Sequence, residues 1–309
     1  MHQLSFIIKS LAIVLQLFSA TISFAQYYLY NPEYYSSDIV VEAGCSAGAI
    51  NSLTDLGGRK GVGRGFIKDL NWEFFKPVYG GYLVALFRNV AGVRIEASKG
   101  IILSDDGILK KKDPDLSGRY ARNLSVKTSI TDFQITAEIH PLYFREYEEY
   151  ELPVLSPSII AGIGYFIFNP RAQLNGKWYD LHPLRLEGQG FTEYPGRKQY
   201  KLKQLSLPLG AGLRYEITSL INARIDFVYR ILFTDYLDDV SDYYIDPDLF
   251  IKYLGAEKAA IATRLYSRME ELQPGYKVNT AMPRGNKNDR DAFFTAQLKI
   301  GMTIRSKRR

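Results

Sequence analysis

No disulfide can form within this chain, because Cys45 is its only cysteine. Three histidines and that single thiol leave no His/Cys cluster with zinc spacing, so no metal centre and no cofactor is expected. After the first 25 residues no apolar run reaches the roughly 20 residues that a membrane helix needs. Charge of one sign is also scarce. Lys and Arg number 39 against 33 Asp and Glu, for a net +6. Much of that excess sits in Lys110-Lys111-Lys112 and in Arg305 to Arg309. A basic face interleaved with aromatics is missing, which argues against a nucleic-acid partner.

Catalytic patterns are equally thin. His182 with Asp180 is the one candidate for a Ser/His/acid group, and no serine lies near it in sequence, so no catalytic residue is assigned. Gly58-Arg59-Lys60-Gly61-Val62-Gly63 lacks both the Walker spacing and a strand–loop–helix setting; it reads as a flexible basic loop able to touch lipopolysaccharide phosphates. Asp235, Asp238, Asp239 and Asp242 lack EF-hand spacing and read as a solvated or arginine-paired loop rather than a calcium site.

What the chain has is alternation. Leu205, Leu207, Leu209, Ala211, Leu213 and Tyr215 alternate with small or polar residues. After a break at Thr218-Ser219-Leu220, Ile221, Ala223, Ile225, Phe227, Tyr229, Ile231 and Phe233 oppose Asn222, Arg224, Asp226, Val228, Arg230, Leu232 and Thr234. A period of two sustained this long means β-strands with one apolar and one polar face. Strands of soluble domains run about five or six residues, whereas a tilted strand crossing a bilayer needs about nine to eleven. A mean hydropathy of −0.15 is compatible with either, since half of a membrane strand is polar.

The same reading gives about eight strands: 38–50, 78–87, one beginning near Val93, 123–140, 158–168, the two just described, and a last one holding Phe294 to Ile304. In the fourth strand the apolar phase changes near Thr131-Asp132, which suggests a bulge. Connections alternate between long (51–73, 104–122, 169–200, 235–290) and short (88–89, 144–153, 218–220). Outer-membrane barrels sort their loops this way, with short periplasmic turns and long outer loops. The fold expected is all-β: a single antiparallel up-and-down transmembrane barrel, with a helix after Asp246-Pro247 in the last long loop. Residues 1–25 carry Lys9, the apolar run Leu11 to Phe18 and small residues before Gln26, the layout of a cleaved signal peptide; the barrel would span 26–309. The chain's 23 tyrosines suit membrane–water borders.

If apolar faces meet lipid, the opposite faces line the lumen. They carry Glu42, Arg94, Glu96, Lys127, Gln134, Glu138, Arg214, Arg224, Asp226, Arg230, Gln297 and Lys299. Both signs are present, and an eight-stranded barrel is just wide enough for side chains to fill. Unpaired buried charges cost several kcal/mol each, so these residues are expected to pair into a structural plug rather than line a pore. Cys45 falls on the apolar face of the first strand.

Several segments carry a resemblance. AGIGYFIFNPRAQLNGKWYDLHPLRLEGQG (161–190), LSLPLGAGLRYEI (205–217), TDYLDDVSDYYID (234–246) and GCSAGAINSLTDLGG (44–58) resemble a Bacteroidota outer-membrane β-barrel family that includes the PorG-type component of the type IX secretion system. The resemblance implies a non-enzymatic outer-membrane anchor or scaffold associated with periplasmic ring proteins of that system, and no catalytic residues. The alternative is a general envelope-stabilising or adhesion barrel without a secretion role. Many such barrels end in an aromatic residue, whereas this chain continues past Ile304 into Arg305 to Arg309.

Overall fold

A computed structural model describes residues 38–57, 72–107, 119–145, 153–218 and 220–307. The signal-like segment, the glycine-rich basic loop from Gly58 onward and Lys110 to Lys112 lie outside the described residues.

Eight antiparallel strands close into a barrel: β1 (Ile39–Leu53), β2 (Lys76–Phe87), β3 (Ala91–Asp105), β4 (Ser125–Ile139), β5 (Leu155–Leu174), β7 (Lys203–Glu216), β8 (Ile221–Leu232) and β9 (Ala292–Lys307). Each pairs with its neighbour in the chain, and β1 closes on β9. A short extra strand, β6 (Lys177–Asp180), pairs only with the upper end of β5. It hairpins through Asn175-Gly176, both with positive φ (51° and 79°), the conformation a tight two-residue turn demands. Arg88 and Asn89, at φ 49° and 56°, do the same between β2 and β3. The strand ends joined by the three short connections lie at one end of the barrel, and the starts of β2, β4, β7 and β9 lie at the other.

The faces follow the alternation. Ile95, Phe133, Ile135, Ile163, Leu209, Ile225, Phe227, Ile300 and Met302 point outward and are exposed. Cys45 is exposed on that same face. A continuous belt of exposed aliphatic and aromatic side chains around a closed sheet is the surface of a membrane-spanning barrel, because closure leaves no strand edge to satisfy in hydrocarbon.

Two expectations need correction. The first concerns the phase change in the fourth strand. β4 runs in unbroken register against both β3 and β5, with no bulge at Thr131-Asp132. Val126 and Ile130 point inward with Asp132 and Gln134, while Lys127, Ser129 and Thr131 point outward with Phe133. The strand has not slipped; its surroundings have changed. Above Thr131 the outside is no longer hydrocarbon, so the apolar residues turn in. Lys127 is therefore not a lumen residue. β5 behaves alike: beyond Ile167 its outward residues are Asn169, Arg171 and Gln173, and Phe168, Ala172 and Leu174 face in, which is why the strand continues well past Phe168. The described register shift lies instead in β1 against β9, between Val41 and Glu42.

The second correction is the helix of the last loop. It is two helices, α2 (Leu249–Leu254) and α3 (Ala256–Tyr266), following a one-turn helix α1 (Arg119–Arg122) earlier in the chain. Gly255, at φ 76° and ψ 163°, breaks the run between them.

Candidate functional site

The barrel interior is filled in layers. The lower part is ionic, with a small apolar cluster of Val40, Tyr82, Val84 and Leu86 beside the charges. Arg224 donates from Nη1 to Glu138 Oε1 (2.9 Å) and from Nη2 to Glu42 Oε2 (2.6 Å). Arg214 donates to the other Glu42 oxygen (2.6 Å) and to Glu216 (2.7 Å). Arg94 donates to Asp226 Oδ2 at 2.8 Å and lies 3.2 Å from Glu138 Oε2 and 3.5 Å from Glu96. Lys299 donates to Glu96 and sits 3.1 Å from Asp226. Glu42, Arg94, Glu138, Arg230 and Lys299 all have 0% exposure. Alternation delivers them: each lies on an inward position of its strand, and closure brings six strands' charges within reach of one another. Every cation of this layer has a carboxylate, which a low-dielectric interior demands.

Tyr82 lies across this layer, with Arg224 and Lys299 at 5.7 Å and 5.4 Å from its ring centre. Gly44 and Gly301, partners across the β1–β9 ladder, make room for the ring. A Cβ at Gly44 would stand 2.6 Å from the ring, and one at Gly301 would overlap its hydroxyl.

Near the short-turn end, His140 bonds Ser156 through Nδ1 (3.0 Å) and Glu138 through Nε2 (3.2 Å). The order resembles a nucleophile–base–acid chain, yet Ser156 is only 1% exposed and Glu138 Oε1 also accepts from Arg224. These contacts tie the β4–β5 turn to the lumen network. Sequence reasoning did not pair His140 with Ser156; the available signal was that Ser156 shares the inward phase of Ser158. His182 and Asp180 do not meet. His182 Nε2 bonds the Tyr200 carbonyl (2.8 Å), and Asp180 accepts from Arg171 (2.5 Å) on the outer face.

Arg230 marks the transition. Its Nε donates to Asp132 (2.8 Å), Nη1 donates to Thr295 (2.9 Å), and its guanidinium carbon lies 5.1 Å from the Phe293 ring centre above it. Gln134 and Gln297 complete this level; Gln297 donates to Ser46 (3.2 Å). Over it comes an apolar layer of Ile50, Val78, Ile102, Ile130, Phe166, Phe168, Leu232, Leu237 and Phe293. Leu237 belongs to the last long loop and descends into the barrel, held by Thr128, which donates to its carbonyl, and by Asp291, which accepts from its N–H.

A dome closes the long-loop end. α2 and α3 bury Phe250, Ala259, Ala262, Leu265 and Tyr266 against Leu181, Leu184, Leu186, Phe191 and the inward tops of β4 and β5. Two buried arginines lace the loops together. Arg122 donates to Asp106 (2.8 Å) and to the carbonyls of Arg284 (2.5 Å) and Asp55 (2.7 Å); Arg284 donates to Glu187 (2.9 Å) and the Tyr266 carbonyl (3.1 Å). Of the acidic set, Asp238 and Asp239 are buried, and Asp242 lies 3.2 Å from Arg197. Burial pushes the Asp238 and Asp239 carboxyls up to about 7; nearby Asp55 adds to the rise for Asp238, while Arg284 opposes it for Asp239. Burial also drives Asp235 up to about 9 and Asp291 well above the ordinary carboxylate range. Among the described residues no group of His, Cys, Asp and Glu is arranged to hold a metal ion.

No family model matches the chain, and no curated protein does. Among solved structures it is similar to the N-terminal β-barrel domain of Pseudomonas aeruginosa OprF (10% identity, 87% of this chain, 98% of that chain, TM-score 0.32). It is also similar to Ail, the attachment invasion locus protein of Yersinia pestis (10%, 87%, 99%, TM-score 0.33), and to a major outer membrane protein from Thermus thermophilus (14%, 85%, 99%, TM-score 0.34). Likenesses of this size leave the barrel to be read from the chain's own strand pairing.

Proposed function

We propose that the protein is a non-enzymatic outer-membrane barrel acting as a closed anchor or scaffold, exported with residues 1–25 as a cleaved signal, its long loops outside the cell and its short turns in the periplasm. One observation carries this reading: among the described residues the ionic layer, the apolar layer and the dome succeed one another along the interior, which leaves the outer surfaces for binding. Stable single-channel conductance of the purified chain in planar bilayers would contradict it; the expected trace is silent.

Within that reading the protein serves as a component of the type IX secretion system or a relative of one, in a Bacteroidota envelope. Support comes from the segment resemblances and from the course of β9. Its backbone pairs Lys307 with Ile39 at the short-turn end, which carries the basic stretch from Arg305 toward the periplasmic side. Affinity capture from detergent-solubilised membranes tests this: recovery of the periplasmic ring proteins is expected. The dome favours a second reading, a rigid loop-display barrel without a secretion role, and absence of ring proteins from the capture would select it.

A further inference from the structure

The upper outward wall of β4 and β5 carries two facing cations, for which the described residues supply a single carboxylate. Lys127 and Arg171 stand directly opposite each other across the β4–β5 ladder, both on the outward face. Side chains so placed are about 5 Å apart at Cβ, and like charges there repel. One carboxylate serves the pair: Asp180 on β6 accepts from Arg171 (2.5 Å) and from Asn169 (2.9 Å). Lys127 turns instead to the ring of Trp178, 5.2 Å from its centre, whereas Lys177, 5.3 Å from the ring centre of Tyr179, belongs to the opposite face of the hairpin, opposite Leu174. Lys127 has no carboxylate partner among the described residues.

Depth gives this arrangement meaning. Below Lys127 and Arg171 on the same face come Ser129 and Asn169, then Thr131 and Ile167, and then Phe133 and Tyr165 in the hydrocarbon belt. The cations therefore stand at headgroup level, and Trp178, 42% exposed, sits where an indole favours the interface. The other wall of the barrel has a different border. There Trp72 packs tilted against Phe75 at 5.4 Å, and Phe75 meets Phe294 edge-on at 5.6 Å.

We propose that Lys127, Arg171 and Trp178 form a binding site for the phosphate group of a phosphorylated glycolipid in the surrounding leaflet. A guanidinium presents paired donors to two phosphate oxygens, and the Lys127 ammonium adds a point charge. The indole packs against the lipid's apolar part. The arriving phosphate gives Lys127 the counter-charge that Asp180 supplies only to Arg171. This inference rests on the reading of the chain as an outer-membrane barrel.

The chain has two tryptophans, so Trp72→Phe leaves Trp178 as the sole indole reporter. The full chain, folded in neutral detergent micelles, is titrated with bis-phosphorylated lipid A, with the same lipid stripped of phosphate, and with inorganic phosphate. Trp178 fluorescence is expected to respond saturably to the phosphorylated lipid alone. Lys127→Gln with Arg171→Gln should weaken that response by about tenfold or more, and Lys127→Arg should keep it, because charge-assisted contacts dominate. Equal titration by the dephosphorylated lipid, or an unchanged double variant, overturns the site. A matching response to inorganic phosphate overturns the lipid as its occupant. Heat-modifiable gel migration separates the two levels of inference. A chain that never forms the compact band overturns the membrane barrel, whereas a folded chain indifferent to phosphate overturns only this site.

Discussion

The lower and upper halves of the barrel are built from the same strands with opposite chemistry. Below the level of Thr131, Phe133 and Ile135 face out and Asp132, Gln134 and Glu138 face in; above it, Lys127 and Ser129 face out and Val126 and Ile130 face in. Register is continuous through the change. A strand's alternation thus reports the difference between its two sides, and which side is apolar depends on what lies outside. The lower interior is held by ion pairs that burial makes obligatory, the upper by packing of the kind found in soluble cores.

The sharpest way to break the lower half is to remove a shared cation. Arg224→Ala strips one partner each from Glu42, which keeps Arg214, and from Glu138, which keeps Arg94, and should destabilise the barrel by about 3 kcal/mol, the lower end of the range for breaking a buried pair. Urea unfolding in micelles measures it. Combining Arg224→Met with Glu138→Gln should recover part of the loss; a double variant as unstable as the single would argue against pairing as the cause.

In the upper half the matching experiment is Phe166→Ala, which opens a cavity beside Phe168 and Phe293, whose ring centres lie 5.4 Å and 5.8 Å away. A loss of about 3–5 kcal/mol is expected from cavity formation, with no dependence on salt. The bilayer recordings proposed above should stay silent for this variant, because Arg230 and the ionic layer still block the lumen beneath it. Conductance would show that the apolar layer alone seals the barrel.

A third pair of substitutions tests the border directly. Ile225→Arg puts a charge on the lipid face and should cost about 2–4 kcal/mol, whereas Ser129→Arg, outward but above the belt, should cost about 0–1 kcal/mol. Equal penalties would mean that hydrocarbon covers Ser129 too, and the inversion in β4 would need another cause.

This border also decides what sequence could and could not reveal. The alternation of β8 leads straight to Arg224, Asp226 and Arg230 on one face, and the loop lengths lead to an eight-stranded barrel. The same rule placed Lys127 on the wrong side, because it held lipid constant along the whole strand, and it turned a change of solvent into a bulge. The dome was least legible. Arg122 and Arg284 find their partners up to 162 residues away, with no local period to announce them. Gly255 was visible as a residue, but that it would split the helix depended on how α2 and α3 fold back onto the tops of β4 and β5.

The smallest effect expected is confined to the dome. Asp238 and Asp239 titrate near 7 in the folded protein and Asp235 near 9, all above their ordinary value of 3.8, chiefly through burial. Asp55 faces Asp238 and Asp235, and Glu187 faces Asp239 and Asp235, raising them further; Arg122 faces Asp238 and Arg284 faces Asp239, opposing the rise. Between the unfolded and folded values the folded state binds more protons, so its stability falls as pH rises. The contribution is fullest at acidic pH, down to about the ordinary carboxylate range, and is lost as pH climbs through 7 toward 9. Hydrogen exchange in α2 and α3, corrected for the intrinsic pH dependence, should therefore show more frequent opening at pH 9 than at pH 6, while the β8 and β9 ladders stay protected. Opening that grows toward acidic pH instead would mean that Arg122 and Arg284 hold these carboxylates ionised, making the dome a second ionic layer and removing the contrast with the plug below.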